Sequence, residues 1–277
     1  MFGTISRAVL QPGIAFGLAC AAAGANAQLL EDHYWATLSG FWPSISSTAR
    51  ADWQVTGRPG TVVSFEDDLG LPDRKVLPDF QAGMRVGERW RIEFEYYGLN
   101  RAGTRTLSRD IAWDDTVFPA SASLSTEFDS DVFRIGAGWS FVKSPTAELG
   151  GVLGLHVTRF RFRLNGQVSL GNASVGTQVE QKDATIPLPT IGLYGALQLS
   201  PGWYLTGRVD YFSLSSGDYD GGLVNATAGL SYFVTRNIGV GLGYRYVDYS
   251  LELTRANWVG AVDYRFSGPV LSLEVGF

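Results

Sequence analysis

Apolar and polar residues alternate with a period of two along most of the chain. The segment RWRIEFEYYG, residues 89–98, is a clear case, with charged residues at 89, 91, 93 and 95 and apolar residues at 90, 92, 94 and 96. Because successive side chains of a β-strand point to opposite faces, this segment predicts a strand with one charged face and one apolar face. Long runs with helical periodicity do not occur, so the pattern predicts an all-β fold.

Ten segments carry this alternation, at residues 33–42, 76–86, 89–100, 131–142, 146–163, 188–200, 203–214, 223–234, 238–252 and 260–277. Short turns (86–89, 143–146, 200–203, 235–237) alternate with longer polar connections (43–75, 100–131, 165–183, 215–222). Transmembrane β-barrels have short periplasmic turns at one end and long extracellular loops at the other. The sequence therefore predicts a single antiparallel transmembrane β-barrel of ten strands, with eight or twelve strands as alternatives.

The small residues indicate which face points inward. In residues 238–246, large apolar residues alternate with Gly239, Gly241, Gly243 and Arg245. A soluble sandwich would expose a polar face dense in Lys and Glu, whereas glycine, serine, threonine and isolated charges suit a crowded interior. We therefore expect the apolar faces to contact lipid and the charged faces to line the lumen. The aromatic residues expected in the interfacial girdles are Tyr34, Trp35, Trp90, Trp139, Trp203, Tyr244 and Tyr246.

The N-terminus is typical of a secretory signal peptide. A short region with the single charge Arg7 precedes an apolar stretch, and Ala25 and Ala27 fit the small-x-small rule for cleavage. This pattern predicts a signal peptide at residues 1–27 and a barrel domain at residues 28–277. Cys20 is the only cysteine of the chain, so the mature domain has no thiol to oxidise in an oxidising compartment.

The last strand ends on alternating apolar residues, Leu271, Leu273, Val275 and Phe277. This ending resembles the C-terminal signal that hands outer-membrane barrels to the barrel-assembly machinery. The resemblance implies an outer-membrane location and that machinery as a partner during biogenesis. Outer-membrane lipids, including lipopolysaccharide, are then the expected surroundings.

As a whole the chain resembles Gram-negative outer-membrane β-barrels of the opacity-protein or surface-antigen type. Gly60-Thr61, the segment EDDLGL at residues 66–71 and GLH at residues 154–156 are similar to elements of an uncharacterised proteobacterial subgroup. The resemblance implies a fold and a location but no agreed activity, because such barrels include adhesins, small pores, lipid enzymes and structural proteins.

Charged residues supply the candidate site. The set expected to line the lumen is Arg89, Arg91, Glu93, Glu95, Arg134, His156, Arg159, Arg161, Arg163, Arg208, Asp210, Arg245 and Glu274. These charges predict either a salt-bridged plug or a narrow aqueous path whose arginines favour anions. Because Thr158 and Arg159 are consecutive lumen candidates, we also expect a bulge or a register change there. The overall net charge of −5 argues against a nucleic-acid partner.

The expected role is non-enzymatic, as a small-solute pore or as a structural or surface-interaction protein with an extracellular partner. One alternative is a lipid A deacylase-like hydrolase, since His156 and Thr158 faintly resemble the His and Ser of such enzymes. A protease of the omptin type is disfavoured because no histidine lies in the acidic outer loops. Another alternative is a soluble periplasmic binder with a sandwich or lipocalin-like fold.

Cofactor and metal sites have little support in the sequence. The acidic residues Glu66, Asp67, Asp68 and Asp73 could bind Ca²⁺, but their spacing does not match an EF-hand, and a solvated acidic loop is the simpler interpretation. No phosphate-binding glycine loop, zinc pattern or redox motif occurs, so we expect no cofactor and no metal.

Overall fold

The computed structural model describes residues 29–53, 59–113, 116–170, 173–216, 219–255 and 258–277. The predicted signal peptide, including Ala25 and Ala27, lies outside the described residues. None of the described residues belongs to a helix with the length and hydrophobicity needed to cross a membrane.

Within these described ranges, fourteen strands follow one another. They are β1 (Tyr34–Phe41), β2 (Ser44–Ala51), β3 (Val63–Ser64), β4 (Leu77–Val86), β5 (Trp90–Thr106), β6 (Ile111–Trp113), β7 (Thr116–Phe118), β8 (Ser123–Lys143), β9 (Ala147–Leu170), β10 (Ala173–Ser200), β11 (Trp203–Ser216), β12 (Tyr219–Phe233), β13 (Ile238–Arg255) and β14 (Trp258–Gly276).

Ten of these strands close an antiparallel barrel in the order β1, β4, β5, β8, β9, β10, β11, β12, β13, β14, and β14 pairs back onto β1. Closure satisfies the backbone groups that an open sheet would leave unpaired at its edges. The ten predicted segments correspond to these ten strands, so the prediction of a ten-stranded antiparallel barrel is confirmed.

The first barrel strand is broken. Trp42 and Pro43 interrupt the ladder, and β2 then continues along β14 in the direction that β1 began. A proline has no N–H to donate, which favours a break at this point. β3 adds to the free edge of β2, and β6 and β7 form a separate hairpin.

Tight turns cluster at one end of the barrel, together with Tyr34 and Phe277, whose backbones are hydrogen-bonded. Gly87 and Gly202 in two of these turns have positive φ angles of 64° and 80°, a conformation that favours glycine. By the rule for outer-membrane barrels this is the periplasmic end.

The strands are longer than the sequence indicated and extend beyond the membrane on the extracellular side. β10 alone has 28 residues, whereas about 9–11 residues suffice to cross a bilayer. The long loop expected at residues 165–183 is therefore mostly strand, formed by the ends of β9 and β10. The connection at 100–131 is likewise shortened by β5 and β8 and holds the β6–β7 hairpin.

A belt of exposed apolar residues surrounds the periplasmic half. On β9 the outward residues from Leu149 to Val157 are apolar or glycine, and on β13 the outward residues from Ile238 to Tyr246 are apolar or tyrosine. Nine residues of tilted strand cover about 25 Å of height, which matches the apolar band of an outer-membrane barrel.

Exposed aromatic residues flank the belt, among them Tyr34, Trp90 and Trp139 at the periplasmic end and Tyr244 at the other. Trp35 differs from the expectation, because its ring lies inside the barrel over Gly83. The strand parity explains the difference, since Tyr34 and Trp35 are adjacent and only one of them can face outward.

Above the belt, the apolar residues of β9 lie on the inward face instead of the outward face. On β9 the odd-numbered residues face outward throughout, so Leu153 and Leu155 lie on the belt whereas Arg159, Arg161 and Arg163 lie on the outer surface above it. The even-numbered residues face inward, and they turn from polar or small to aromatic at Phe160. The medium outside the wall changes from lipid to water at this height, which accounts for the exchange.

The ladder between β8 and β9 runs without a shift past Thr158 and Arg159, and its only irregularity lies between Ser140 and Val142. The expected bulge at residues 158–159 is therefore absent from the described ladder. That expectation rested on placing Arg159 inside the barrel, which is wrong.

Candidate functional site

Two carboxylates on β5, Glu93 and Glu95, are the centre of a buried charged network. Arg134 on β8 donates from Nε to Glu95 at 2.6 Å and from Nη1 to Glu93 at 3.4 Å. Arg208 on β11 reaches Glu93 from across the barrel. Arg245 on β13 lies 2.8 Å from Glu95. Three strands far apart in sequence thus converge on the alternating charges of the RWRIEFEYYG segment.

Further acids complete the network. Arg245 pairs with Asp79 at 2.9 Å and lies 4.4 Å from the ring centroid of Tyr97. Arg208 pairs with Asp210 at 2.7 Å on its own strand. These ion pairs bridge the interior from wall to wall, and buried charges are tolerated because each has a partner of opposite sign.

A second cluster lies nearer the periplasmic end. Glu148 accepts hydrogen bonds at 2.9 Å from both terminal nitrogens of Arg85 and from Lys143. Ser140 donates to the same carboxylate at 2.5 Å. A bidentate arginine pair of this kind fixes the geometry of both side chains.

Arg91 lies between the two clusters. Its guanidinium is 4.6 Å from the ring of Trp35 and 4.3 Å from the ring of Tyr194, and it pairs with Glu93 at 2.5 Å. Two aromatic faces and a carboxylate therefore hold this cation in place.

A cavity of about 230 Å³ lies beside these clusters in the periplasmic half. Its opposite wall is made of small residues of β11 to β14, such as Gly229 and Gly241. Glu274 projects from that wall and accepts hydrogen bonds from Ser231 at 2.7 Å and Ser272 at 2.8 Å.

The segment preceding β1 narrows the periplasmic mouth. Leu30 is buried against Tyr204 and Phe233, and Lys143 donates to its carbonyl oxygen. Asp32 follows, with one carboxylate oxygen buried and without a hydrogen-bond partner among the described residues. Burial raises the pKa of Asp32 to about 6, although two nearby arginines partly oppose the shift.

The extracellular half of the barrel is filled by a cluster of buried apolar side chains, which we call the apolar plug. Its aromatic centre consists of Phe65, Trp113, Phe128, Phe160, Phe162, Tyr249 and Tyr264. The ring of Phe65 lies 5.1 Å from those of both Phe128 and Phe162, and Trp113 lies 4.8 Å from Phe162. These distances are those of closely packed aromatic pairs.

Residues 59–76, which we call the inserted strap, bring Phe65 into the plug. Arg101 of β5 anchors the strap through Glu66 at 2.5 Å, and its guanidinium is fully buried near the rings of Phe128 and Tyr264. The acidic cluster at residues 66–68 is thus partly an anchor rather than a wholly solvated loop.

Asp68 provides a second anchor for the strap. It pairs with Arg109 at 2.8 Å and accepts the backbone N–H of Ser64 at 2.9 Å. Burial acts to raise the pKa of Asp68, but the Arg109 and Ser64 hydrogen bonds outweigh it, and the pKa lies below its usual value.

His156 and Thr158 both point into the barrel and are buried. The imidazole Nδ1 lies 3.4 Å from the hydroxyl of Thr190, and Nε2 has no hydrogen-bond partner among the described residues. A hydrolase acting on lipid needs a nucleophile that the lipid can reach and a carboxylate that orients the histidine. The surroundings of His156 do not favour that alternative.

The candidate residues fall into two groups. The structure places Arg91, Glu93, Glu95, Arg134, His156, Arg208, Asp210, Arg245 and Glu274 in the interior. Arg89 lies instead in the exposed turn before β5 and its guanidinium approaches the carbonyl oxygens of Ser140 and Phe141.

Arg159, Arg161 and Arg163 were expected in the lumen and lie outside it. Arg161 pairs with Asp131 at 3.0 Å, and Arg163 pairs with Glu127 at 2.8 Å, on the outer surface. The correction follows from the unbroken parity of β9, which directs Phe160 and Phe162 inward.

Several residues of the interior were not identified from the sequence, namely Asp79, Arg85, Arg101, Lys143 and Glu148. The signal for Asp79 was present, because a lone acid alternates with apolar residues on β4. Arg101 and Glu148 gave no comparable signal, since Arg101 lies just beyond the predicted segment 89–100 and Glu148 lies at the start of the predicted segment 146–163.

Comparison with protein-family models and with curated proteins finds no match. Among solved structures, the outer membrane protease OmpT from Escherichia coli is similar, with a TM-score of 0.60 and 14% identity over 90% of this chain and 98% of OmpT. Neisserial surface protein A gives a TM-score of 0.29 at 14% identity, over 88% of this chain and 97% of that one. The Pseudomonas putida toluene transporter TodX gives 0.34 at 10% identity, over 89% and 90%. The similarity to OmpT, together with the closed ten-stranded barrel, shows that the chain has the fold of an outer-membrane β-barrel.

Proposed function

We propose that this chain is a non-enzymatic, non-conducting barrel of the outer membrane, whose rigid extracellular half serves a structural or surface-interaction role. The observation that carries the proposal is the apolar plug. Phe65, Phe118 and Leu124 within it are at most 2% exposed, so among the described residues apolar side chains fill the extracellular half where a continuous path of water would have to run.

An ion crossing this half would have to lose its hydration shell in an apolar environment, which is prohibitively costly. The charged network below adds cross-links between opposite walls. Both features support a closed barrel over a small-solute pore, and the apolar belt supports residence in the membrane.

The positions of the two histidines support a non-enzymatic role. His33 precedes β1 at the periplasmic end, and His156 is buried within the barrel. A protease acting at the extracellular rim through a histidine would need one at that rim. We therefore do not propose the protease activity of OmpT for this chain, although the two folds are similar.

The expected surroundings and partners follow from the same proposal. Outer-membrane lipids, including lipopolysaccharide, would contact the belt. The outward side chains of Leu271 and Leu273 on β14, and of Phe277 directly after it, would be available to the barrel-assembly machinery before closure.

The test is conductance in a planar lipid bilayer of the refolded chain from residue 28 to residue 277. We expect no reproducible current steps from protein whose gel mobility changes on boiling, which shows that the barrel is folded. Reproducible steps from the folded wild type would contradict the proposal.

A variant of the strap gives the positive control. Replacing residues 62–72 by a glycine-serine linker of equal length removes Val63, Phe65, Leu69 and Leu71 from the plug. We expect this variant to conduct. A triple alanine variant of Arg159, Arg161 and Arg163 is the matched control, and it should remain silent because those side chains lie outside the barrel.

A further inference from the structure

The ladder between β10 and β11 ends before the strands do. Ile191 and Tyr211 form its last pair, yet β10 reaches back to Ala173 and β11 continues to Ser216. On its other side β10 remains paired with β9 as far as Ala173. Among the described residues, positions 173–190 of β10 and 212–216 of β11 therefore each have one edge without a strand partner. We call this opening the lateral seam.

The seam begins where the lipid-facing belt ends. Ile191 and Tyr211 are 62% and 50% exposed on the outer surface, and Leu193 and Val209 continue the belt below them. Unpaired backbone groups are not tolerated facing hydrocarbon, but they are tolerated among polar head groups. The start of the seam thus lies at the height of the lipid head groups.

A strand from another protein is a poor candidate for the seam. Pro187 and Pro189 lie on the free edge of β10, and neither has an N–H. Because the ladder with β9 runs through both positions, the missing donors belong to the side that faces the seam. Prolines on an edge in this way prevent the addition of another strand.

The remaining polar groups at the seam suit a head group that accepts and donates hydrogen bonds. Among the described residues the backbone carbonyls of both edges have no strand partner on the side of the seam. Thr185 on β10 and Ser213 on β11 expose hydroxyl side chains on the outer surface. The floor is apolar, since Ile186 and Leu188 lie directly inside.

The positively charged side chain of Arg159 lies beside the lateral seam. Arg159 on β9 is exposed on the outer surface and is in register with Thr185. Among the described residues it has no ion-pair partner, unlike Arg161 and Arg163. One strand spacing, about 5 Å, separates its backbone from β10, so its long side chain can reach an anion held at the seam.

We propose that the lateral seam binds the head group of a phosphorylated, acylated lipid of the outer leaflet. Arg159 pairs with a phosphate, the free strand edges and hydroxyls hydrogen-bond to the rest of the head group, and an acyl chain follows the belt past Ile191 and Tyr211. The inference rests on the proposed outer-membrane residence, and it adds a specific lipid site.

The experiment is native mass spectrometry of the refolded residue 28–277 chain in detergent micelles, titrated with lipid A or with phosphatidylcholine. We expect a complex with one bound lipid A molecule to appear at lipid concentrations too low to fill weaker sites. Phosphatidylcholine, which is zwitterionic, should be retained at least tenfold more weakly. Equal retention of the two lipids would refute the anionic site.

Matched variants locate the site. Arg159→Ala and Ser213→Trp should each weaken lipid A binding at least tenfold, the first by removing the cation and the second by filling the seam. Arg163→Ala and Ser250→Trp are the controls, because Arg163 is already paired and Ser250 lies on the outer surface of the intact ladder of β13. Boiling-dependent gel mobility confirms that each variant is folded.

Equal weakening by Arg159→Ala and Arg163→Ala would indicate diffuse attraction to surface charge and would overturn the proposal, as would unchanged binding in Arg159→Ala and Ser213→Trp. Carbonate extraction distinguishes residence in the membrane from specific lipid binding at the seam. Release of the folded protein from membranes would refute the proposed function, whereas retention without selective lipid binding would refute the seam alone.

Discussion

Replacing Phe162 by alanine tests whether the apolar residues of β9 that lie above the membrane face the interior of the barrel. Phe162 is buried in the apolar plug, with its ring 5.1 Å from that of Phe65 and 4.8 Å from that of Trp113. Truncation of a buried phenylalanine costs about 3–5 kcal/mol. Each aromatic pair contributes about 0.5–1.5 kcal/mol beyond area burial, so we expect a loss in the upper part of that range.

The adjacent residue supplies the control. Arg161 has a side chain that is 47% exposed and pairs on the outer surface with Asp131 at 3.0 Å. An exposed ion pair contributes about 0–1 kcal/mol, so Arg161→Ala should cost no more than that. The two variants differ by one position in sequence, and the predicted difference in unfolding free energy between them is at least about 2 kcal/mol.

The assay is equilibrium unfolding in urea of protein refolded in detergent micelles, followed by tryptophan fluorescence. Because Trp113 contacts Phe162, near-ultraviolet circular dichroism should also change in Phe162→Ala. The slope of the unfolding free energy against urea concentration should be the same for the wild type, Phe162→Ala and Arg161→Ala. Equal slopes would show that the same amount of surface is exposed on unfolding in all three.

The opposite register makes the opposite prediction. If Arg161 faced the interior, its removal would leave a buried carboxylate unpaired at a cost of about 3–5 kcal/mol, and Phe162 would be a surface residue. A larger loss in Arg161→Ala than in Phe162→Ala would therefore refute the inward placement of the even-numbered residues of β9.

Two further predictions concern the interior and the N-terminal segment. Arg245→Ala leaves Asp79 facing Glu95 without the cation between them, so we expect a loss of about 3–5 kcal/mol in urea unfolding; a triple variant that also carries Asp79→Asn and Glu95→Gln should recover part of it, and no recovery would contradict a charge-based cause. Asp32 has a pKa of about 6 in the folded protein against an ordinary value of 3.8, so its ionisation destabilises the folded state as pH rises through this interval. Asp32→Asn should therefore increase stability at pH 8 but not at pH 3.5, and an equal effect at both pH values would show that burial of the charge is not the cause.

Much of the barrel was predictable because the alternation of apolar and polar residues along each strand matches the lipid on one face of the wall and the crowded interior on the other. In β5 and β13 the alternation within the belt is strict, with large apolar residues on one parity and charges or glycine on the other. A wall of one strand thickness between lipid and a crowded interior requires this alternation. The number of strands and the tight turns followed from it.

The candidate site was predictable only in part. Glu93, Glu95 and Arg134 lie within the belt, where a charge on a strand can only point inward, and the sequence identified them. Their partners could not be assigned, since Arg208 and Arg245 come from strands more than a hundred residues away and any of several pairings would neutralise the acids equally well.

Alternation by itself determined that β9 has two unlike faces above residue 158, one with arginines and one with phenylalanines. It did not determine which face is inward, because the pattern is the same whether the outer medium is lipid or water. Only the tertiary structure decided this: β9 keeps its register on β8, the strands rise beyond the membrane, and the inserted strap brings Phe65 to the phenylalanines of β9. The apolar face turns inward there because the outer medium becomes water, and burial in the plug then stabilises it.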